Sequence, residues 1–315
     1  MGKRFDIISA GLIVYDIIAS PVEKDIFSVD TKPLESISYK TGGDALNVAV
    51  NASRLGARVC LGGIVGDDAP GKFLTESAQK EGIDTSGVLV SAENRTSVSI
   101  VLCEPDGQRH FAYYGKSNNE FDGTSISDEL LGETGILYIG SVMGLRGLEG
   151  GKLKDLFMRA KARRVMTAMD STWATDGIWL PRIREALPYC DIFIPSFDEA
   201  REICGTSDPK EIVSFIHSFG VRIAGVKLGK SGVLVEDIEI PAFNCERVVD
   251  TTGAGDAFMG GFVTGISMGK SVYDSALLGS AASNCCIREI GAVTGAPDLS
   301  RAEKVVSEFL DGTLR

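Results

Sequence analysis

A glycine-rich turn that leads into a helix is the segment of this sequence best suited to chemistry. An extended run is followed by the string TTGAGD, which ends at Asp256 and opens an apolar helical pattern. A helix start has unpaired N–H groups and a positive dipole, and glycine lets a ligand approach the backbone. The amides of Gly253, Ala254 and Gly255 therefore suit a phosphoryl group, and Asp256 suits proton removal from a hydroxyl. The same pattern also fits a capped helix in which Asp256 only complements the dipole.

A second glycine turn, Gly42-Gly43, opens a helix near the start of the chain. Asp44 and Asn47 follow it three residues apart, which puts both on one face of the first helical turn. Together with Asp16 they offer carboxylate and amide groups to a polyhydroxylated ligand. The alternative is a simple helix cap in which Asp44 bonds the backbone.

Composition narrows the chemistry that these segments can perform. The 315 residues carry a formal net charge of −11, which weighs against nucleic acid or an anionic membrane as the main partner. The two histidines, His110 and His217, have no zinc-site spacing, so carboxylates, backbone groups or bound ions are expected to run the reaction. Seven cysteines without framework spacing predict reduced thiols and a cytoplasmic location. No apolar run reaches the length of about 18 residues that a membrane span needs.

Short apolar runs alternate with helical patterns along the chain, which predicts a mostly parallel sheet covered by helices. The predicted strands are 5–13, 58–65, 136–140, 164–169, 190–195, 221–228 and 232–236. The predicted helices are 45–55, 70–81, 151–163, 197–204, 209–219, 254–268, 272–290 and 301–311.

Two segments of β character break this rhythm. Residues 14–40 are extended, and residues 96–114 read as a hairpin whose turn contains Pro105, Asp106 and Gly107. Paired beside a cleft, they can form a lid that excludes water from a reaction. A plain antiparallel edge fits the pattern equally well.

The two glycine segments, in this order and at this separation, resemble the two signatures of the ribokinase-like (PfkB) family of carbohydrate and nucleoside kinases. The first continues as GGIVGDDAPG over 62–71, and the second contains DTTGAGD over 250–256. The likeness runs from Asp16 to about Pro297. It implies one kinase domain over 1–315 with an α/β fold: a mostly parallel central sheet flanked by helices, and a small β-sheet lid formed by about 14–40 and 96–115.

The resemblance also implies a role for each matching residue. Asp256 is the expected catalytic base, with the Gly253–Gly255 amides as its anion hole. The residues expected to hold the acceptor are Asp16, Gly42, Gly43, Asp44 and Asn47. Asp44 stands where ribokinases proper often have a basic residue, so ribose does not follow as the acceptor.

ATP and Mg²⁺ are the cofactors that the resemblance implies. Glu199 matches a motif that supports magnesium through water, whereas Ser196 replaces the usual Asn of that motif. Lys227 and the Gly229-x-x-Gly232 turn are expected to contact the nucleotide. Residues 224–231 also fit a relaxed P-loop pattern, but a strand pattern follows them where a P-loop needs a helix. A monovalent cation, potassium, is implied at a set of residues on two loops: Asp250, Thr252, Cys286, Glu289, Gly291 and Gly295.

The first functional reading is an ATP-dependent kinase that phosphorylates a hydroxymethyl group of a sugar or sugar derivative. One alternative keeps the fold and takes a nucleoside such as adenosine, with Phe111, Tyr113 and Tyr114 as candidates to stack on the base. Another is a non-catalytic ligand sensor. Unpaired strand edges of the lid would favour a homodimer.

Overall fold

The structure is a computed structural model that describes residues 2–106 and 108–314. Its strands are β1 (Phe5–Ala10), β2 (Val14–Ser20), β3 (Ser36–Gly42), β4 (Val59–Gly66), β5 (Asp84–Ser91), β6 (Val98–Cys103), β7 (Arg109–Tyr114), β8 (Thr134–Ile139), β9 (Met166–Met169), β10 (Ile192–Phe193), β11 (Ile223–Lys227), β12 (Val233–Val235) and β13 (Ile238–Ile240). Its helices are α1 (Asp44–Arg54), α2 (Ala69–Lys80), α3 (Lys116–Asn119), α4 (Asp128–Gly132), α5 (Lys152–Ala162), α6 (Leu180–Ile183), α7 (Phe197–Cys204), α8 (Pro209–His217), α9 (Ala254–Ser267), α10 (Val272–Cys286) and α11 (Leu299–Leu310).

Within these residues a nine-stranded sheet has the order β13-β12-β11-β10-β9-β8-β1-β4-β5. The strands from β11 to β5 are parallel, and β12 and β13 extend one edge as an antiparallel ribbon. The chain runs outward from β1 to β4 and β5, then returns to β8 on the other side of β1. Open parallel sheets bind ligands at the carboxyl ends of strands where the order reverses. The ends of β1 and β8 are therefore where this fold positions a site.

Helices cover both faces of the sheet, and each face has its own apolar core. Buried side chains of α1, α9 and α10 fill one core, among them Leu46, Phe262 and Leu278. Side chains of α5 and α8, such as Phe157 and Ile216, fill the other. Burial on both faces explains why the strands read as continuous apolar runs. In the part of the chain that the structure describes, no helix is long and apolar enough to cross a membrane.

A second, four-stranded sheet has the order β3-β2-β6-β7 and forms the lid. The register places Asp16 opposite Ser99, and Ser99 opposite Tyr113, so these three residues share one face. Asn118 donates a hydrogen bond of 3.0 Å to the Tyr113 hydroxyl and also bonds the backbone of Ile13. This face of the lid therefore turns toward the body of the protein.

The predicted fold class is confirmed, since the sequence places seven body strands and eight helices correctly. It does not predict β5 or β13. The strand predicted over 5–13 ends at Ala10, and the helix predicted over 272–290 ends at Cys286. Beyond that helix the backbone turns into a loop that reaches Gly291 with a φ of 99°. Three residues of the predicted domain lie outside the described residues: Gly107 of the predicted hairpin turn and the two terminal residues.

Candidate active site

Polar residues follow the carboxyl ends of neighbouring parallel strands and meet in one cleft. Ser141 follows β8, Asp170 follows β9, and Lys227 ends β11. Lys227 pairs with the carboxylate of Asp170, and its backbone bridges to Ser196 beyond β10. The topology thus gathers charged groups that lie far apart in the sequence.

A tight turn lies at the start of α9, where the sequence predicts an anion hole. Gly253 precedes the helix with a φ of 75°, and a Cβ added to it would lie 2.5 Å from the Cβ of Ala292. Only glycine fits this position, because both the conformation and the close approach exclude a side chain. Within the turn, the Ala254 N–H donates to the Thr251 carbonyl at 3.2 Å. The Gly253 and Gly255 amides are therefore better placed than Ala254 to receive an anion.

Asn47 and Asp256 meet at the cleft although 209 residues separate them. The Asn47 Nδ2 donates to Asp256 Oδ2 at 2.7 Å, and Asn47 is only 5% exposed. Its Oδ1 is buried and has no hydrogen-bond partner within the described residues. A buried amide oxygen normally has a donor, because leaving it unpaired costs about 1–3 kcal/mol. The amide of Asn47 therefore fixes Asp256 Oδ2 from a position that is itself closed to solvent.

Burial and neighbouring acids shift the pKa values of the carboxyl groups in this cleft. Burial raises the pKa of Asp256, with Glu199 adding to the rise and Asn47 and Lys227 opposing it. The pKa of Asp44 is raised well above its ordinary value by burial and then by Asp256, while the Ser141 hydroxyl donates to it. Burial thus favours the neutral form of both carboxyl groups relative to an exposed aspartate.

Lys227 is the cation at the centre of these acids. Burial alone would lower its pKa, but Asp170 and Glu199 raise it overall, so it stays charged. Asp170 is itself buried, and burial, partly offset by Lys227, raises its pKa to about 7. Glu199 accepts from the Ser171 hydroxyl at 2.7 Å and from the Ser196 N–H at 3.3 Å. Ser196 therefore caps α7 and orients Glu199.

A cavity of about 560 Å³ lies beside the turn at residues 253–255. It brings together Lys227, Gly229 and Gly232, which the sequence predicted for the nucleotide, with Ala254 and Gly255. Asn244, the polar α10 residues Ser280 and Asn284, and the apolar residues Phe243 and Phe258 complete its wall. Ser196 and Glu199 are not among the lining residues and lie instead around Asp170 and Lys227.

The predicted acceptor residues lie on the other side of Asp256. Gly43 precedes α1 with a φ of 89°, and a Cβ there would overlap the Leu12 carbonyl. A Cβ on Gly42 would overlap the Asp16 carboxylate, so Asp16 lies directly against this turn. Asp16 comes from the lid strand β2 and Asp44 from α1. The structure therefore brings these residues together where the lid meets the body.

Asp16→Asn is expected to stabilise the protein at high pH while weakening acceptor binding. Burial raises the pKa of Asp16 to about 7. Between pH 4 and 7 the folded protein keeps a proton that the unfolded chain releases, so the free energy of unfolding falls as pH rises through that window. The variant should gain roughly 4 kcal/mol at pH 8 and little at pH 4. Urea unfolding at both pH values measures this.

Asp6→Asn is the matched control for that experiment. The side-chain hydrogen bond from Arg58 lowers the pKa of Asp6, so its charge stabilises the fold above the ordinary carboxyl pKa. Its removal should lower stability slightly at pH 8. An Asp16→Asn variant no more stable than the wild type at pH 8 would contradict the account of Asp16.

The residues predicted to hold potassium converge, but their acceptor groups are already in use. Asp250 Oδ1 accepts from the Thr252 N–H, and Oδ2 accepts from the Gly291 N–H, both at 2.8 Å. Arg109 from the lid pairs with the same carboxylate at 2.8 Å. Glu289 is exposed in the loop after α10, and Gly295 packs against the carbonyls of residues 285 and 286. This donor set does not fit an additional monovalent cation.

Several residues of the site were not assigned a role from the sequence. Asp170 and Ser141 carry a usable signal, since a polar residue directly after a buried parallel strand points to the binding edge of a sheet. Tyr138 is wholly buried, and its hydroxyl has no partner within residues 2–106 and 108–314. Arg109 has no local signal, because its partners come from the distant loop at 250–252.

Comparisons with known proteins agree with this geometry. Residues 4–299 match the pfkB family carbohydrate kinase domain. The ATP-dependent 6-phosphofructokinase of Thermoanaerobacterium thermosaccharolyticum is 29% identical, over 94% of this chain and 92% of that protein. The cytidine kinase of Thermococcus kodakarensis is 30% identical, over 76% of this chain and 84% of that protein.

The fold is also that of solved kinases. The structure of Arabidopsis thaliana ribokinase complexed with ribose and ATP superposes with a TM-score of 0.81, at 23% identity, over 97% of this chain and 99% of that one. Matches of this extent leave no large part of the described chain outside the shared fold. The chain belongs to the pfkB family of carbohydrate kinases.

Proposed function

We propose that this protein transfers the γ-phosphoryl group of ATP to a hydroxymethyl group of a sugar or sugar derivative, with Asp256 as the base. The observation that carries the proposal is the Asn47–Asp256 pair at 2.7 Å, with a buried, unpartnered Asn47 Oδ1 beside it. Asn47 holds only Oδ2 of Asp256, and Asp256 is half-buried, so its other oxygen can face a sugar hydroxyl. The same hydroxyl then lies between Asp256 and the amides of Gly253 and Gly255.

In the proposed reaction, an Asp256 oxygen accepts the proton of the acceptor hydroxyl as that oxygen bonds to the γ-phosphorus. The bond from the γ-phosphorus to the bridging oxygen breaks, and ADP leaves with that electron pair. Negative charge grows on the equatorial oxygens, where the helix-start amides and Lys227 oppose it. Asn47 holds Asp256 in position, and the lid excludes water.

ATP and Mg²⁺ are the cofactors that this family membership and the site together favour. The cavity of about 560 Å³ beside Gly255 is of the size that binds such ligands. The carboxyl groups of Asp44, Asp170, Glu199 and Asp256 surround Lys227, and carboxylate oxygens are ligands that suit a divalent cation. In residues 2–106 and 108–314 no cluster of three acidic, His or Cys side chains can hold a metal by itself, which fits an ion held mainly by phosphates. Bound there, Mg²⁺ neutralises phosphate charge; Glu199 would support it through water.

A nucleoside is the second candidate for the acceptor. Phe111 and Tyr113 are two residues apart on β7 and lie on the same lid face as Asp16, whereas Tyr114 lies on the opposite face. Two aromatic rings beside a cleft can stack on a base, and the relative from Thermococcus kodakarensis is a cytidine kinase. The third reading, a sensor without activity, is disfavoured by an intact base and anion hole.

A coupled ADP-release screen with MgATP tests the proposed acceptor. Pentoses, hexoses, sugar acids, sugar phosphates and nucleosides are compared at equal concentration. We expect one sugar or sugar-derivative class to give a kcat/KM at least about 100-fold above the nucleosides, because the polar groups of Asp16 and Asn47 bind hydroxyls and add nothing for a base. The matched control replaces Phe111 by Leu, which removes a stacking ring and should leave sugar turnover nearly unchanged. Preference for nucleosides, lost on this replacement, would establish the alternative instead.

We also propose a cytoplasmic homodimer formed through the lid. All seven cysteines are free thiols, as expected in a reducing compartment. On the face of the lid opposite Asp16, the side chains of Ile37, Tyr39 and Ile100 are exposed. Such an apolar sheet face favours burial against a second copy.

A further inference from the structure

Arg109 connects the lid to the loop that carries the anion hole. It begins strand β7, and its side chain is 27% exposed. Its Nη1 lies 2.8 Å from Asp250 Oδ1 and also donates to the Thr252 hydroxyl. Both partners lie directly before Gly253, so the lid holds the loop at the point where the anion hole starts.

The carboxylate that Arg109 contacts is buried, and both of its oxygens already accept hydrogen bonds. The Asp250 side chain is 3% exposed. Although burial acts to raise its pKa, Arg109 and the two backbone amides lower it overall, so Asp250 is charged. A buried carboxylate without a compensating charge is strongly destabilising. Arg109 supplies that charge within the chain.

The neighbouring carbonyl oxygens also have a donor from the chain. The Cys286 thiol lies 3.2 Å from the Ala292 carbonyl oxygen and 3.6 Å from that of Thr252. These carbonyls come from the two loops that face each other across Gly253. The acceptors that would surround an alkali cation are thus occupied by a guanidinium, two amides and a thiol.

We propose that the Arg109 guanidinium takes the place of an activating monovalent cation, so that this enzyme works without potassium and has its anion hole ordered by lid closure. The charge of Asp250 is neutralised by a group carried on the lid. Closing the lid therefore fixes residues 250–252 and, through the Asp250–Gly291 bond, the facing loop. Gly253 rests against Ala292 of that loop, which orients its amide.

Arg109 is a positioning residue in this proposal, and Arg109→Gln tests it. Two arms compare KCl with choline chloride at equal ionic strength. The kinetic arm rests on the proposed kinase activity, whereas the thermal-unfolding arm uses the protein without substrates and does not. The kcat of the wild type should differ by less than about twofold between the two salts, and its melting temperature should show no potassium-specific shift.

In choline, Arg109→Gln should lose about tenfold in kcat and about 5 °C in melting temperature, because Asp250 is left buried and unpaired. Potassium should restore much of both losses, since the vacated carboxylate then accepts an ion. Arg109→Lys should keep the wild-type indifference to potassium. Arg95→Gln, an exposed arginine before β6, is the control and should match the wild type.

Two results would overturn the proposal. One is saturable activation and stabilisation of the wild type by potassium. The other is an Arg109→Gln variant whose melting temperature and kcat respond equally to potassium and choline. If no acceptor is turned over at all, the thermal arm still decides between these outcomes.

Discussion

Asp256→Asn is expected to lower kcat by about 10³-fold or more while MgATP affinity stays within about twofold. Asparagine has the shape of aspartate and can still bond Asn47, but it cannot accept the acceptor's proton. The cavity that lies beyond Gly255 is untouched by this change. Steady-state kinetics and calorimetric titration of MgATP measure the two quantities separately.

The control for this variant is Asp198→Asn. Asp198 also lies in the first turn of a helix, α7, but it is exposed. Its loss removes a similar interaction with the helix dipole, worth less than about 1 kcal/mol, and no proton acceptor. Near wild-type turnover by Asp256→Asn would show that Asp256 only complements the dipole of α9.

Gly253→Ala is expected to cost at least about 100-fold in kcat, with a smaller effect on acceptor KM. Its added methyl group meets the Cβ of Ala292 at 2.5 Å and the Cα at 2.6 Å, so the turn must move. The backbone conformation, with a φ of 75°, is also unfavourable for alanine. A displaced turn no longer aims its amides at the transferring phosphoryl group.

Gly269→Ala separates backbone strain from loss of the anion hole. Gly269 has nearly the same conformation, a φ of 76°, but a Cβ there has no neighbour within 4 Å. It should lose about 1 kcal/mol of stability and no activity. If both variants lose activity equally, or neither does, the role given to Gly253 is wrong.

The sequence predicts most of the body of the fold because its signals are local. Buried parallel strands are continuous apolar runs, and helices such as α5 show a regular apolar stripe. Strand β5 escapes prediction because it begins with polar residues and contains Gly87 at the sheet edge. Strand β13 has only two apolar residues and no continuous apolar run, whereas β12, which is equally short, is apolar throughout.

The candidate site also has one part that local sequence patterns predict and another part that they do not. Asp256 and Gly253 are predictable, since a glycine turn and a helix start lie within one short segment. Their relation to Asn47, Asp170 and Lys227 is set by the topology, which brings strand ends together from across the chain. The Arg109–Asp250 pair depends on how the lid sits against the body, and no pattern of neighbouring residues encodes that.

The most direct test of the account is ³¹P NMR of the reaction with MgATP and the best acceptor from the screen. Wild-type protein is expected to form ADP and a new phosphomonoester of the acceptor in equal amounts, whereas Asp256→Asn is expected to form neither at a measurable rate. Inorganic phosphate in place of the phosphomonoester, or the same product at the same rate from Asp256→Asn, would contradict it.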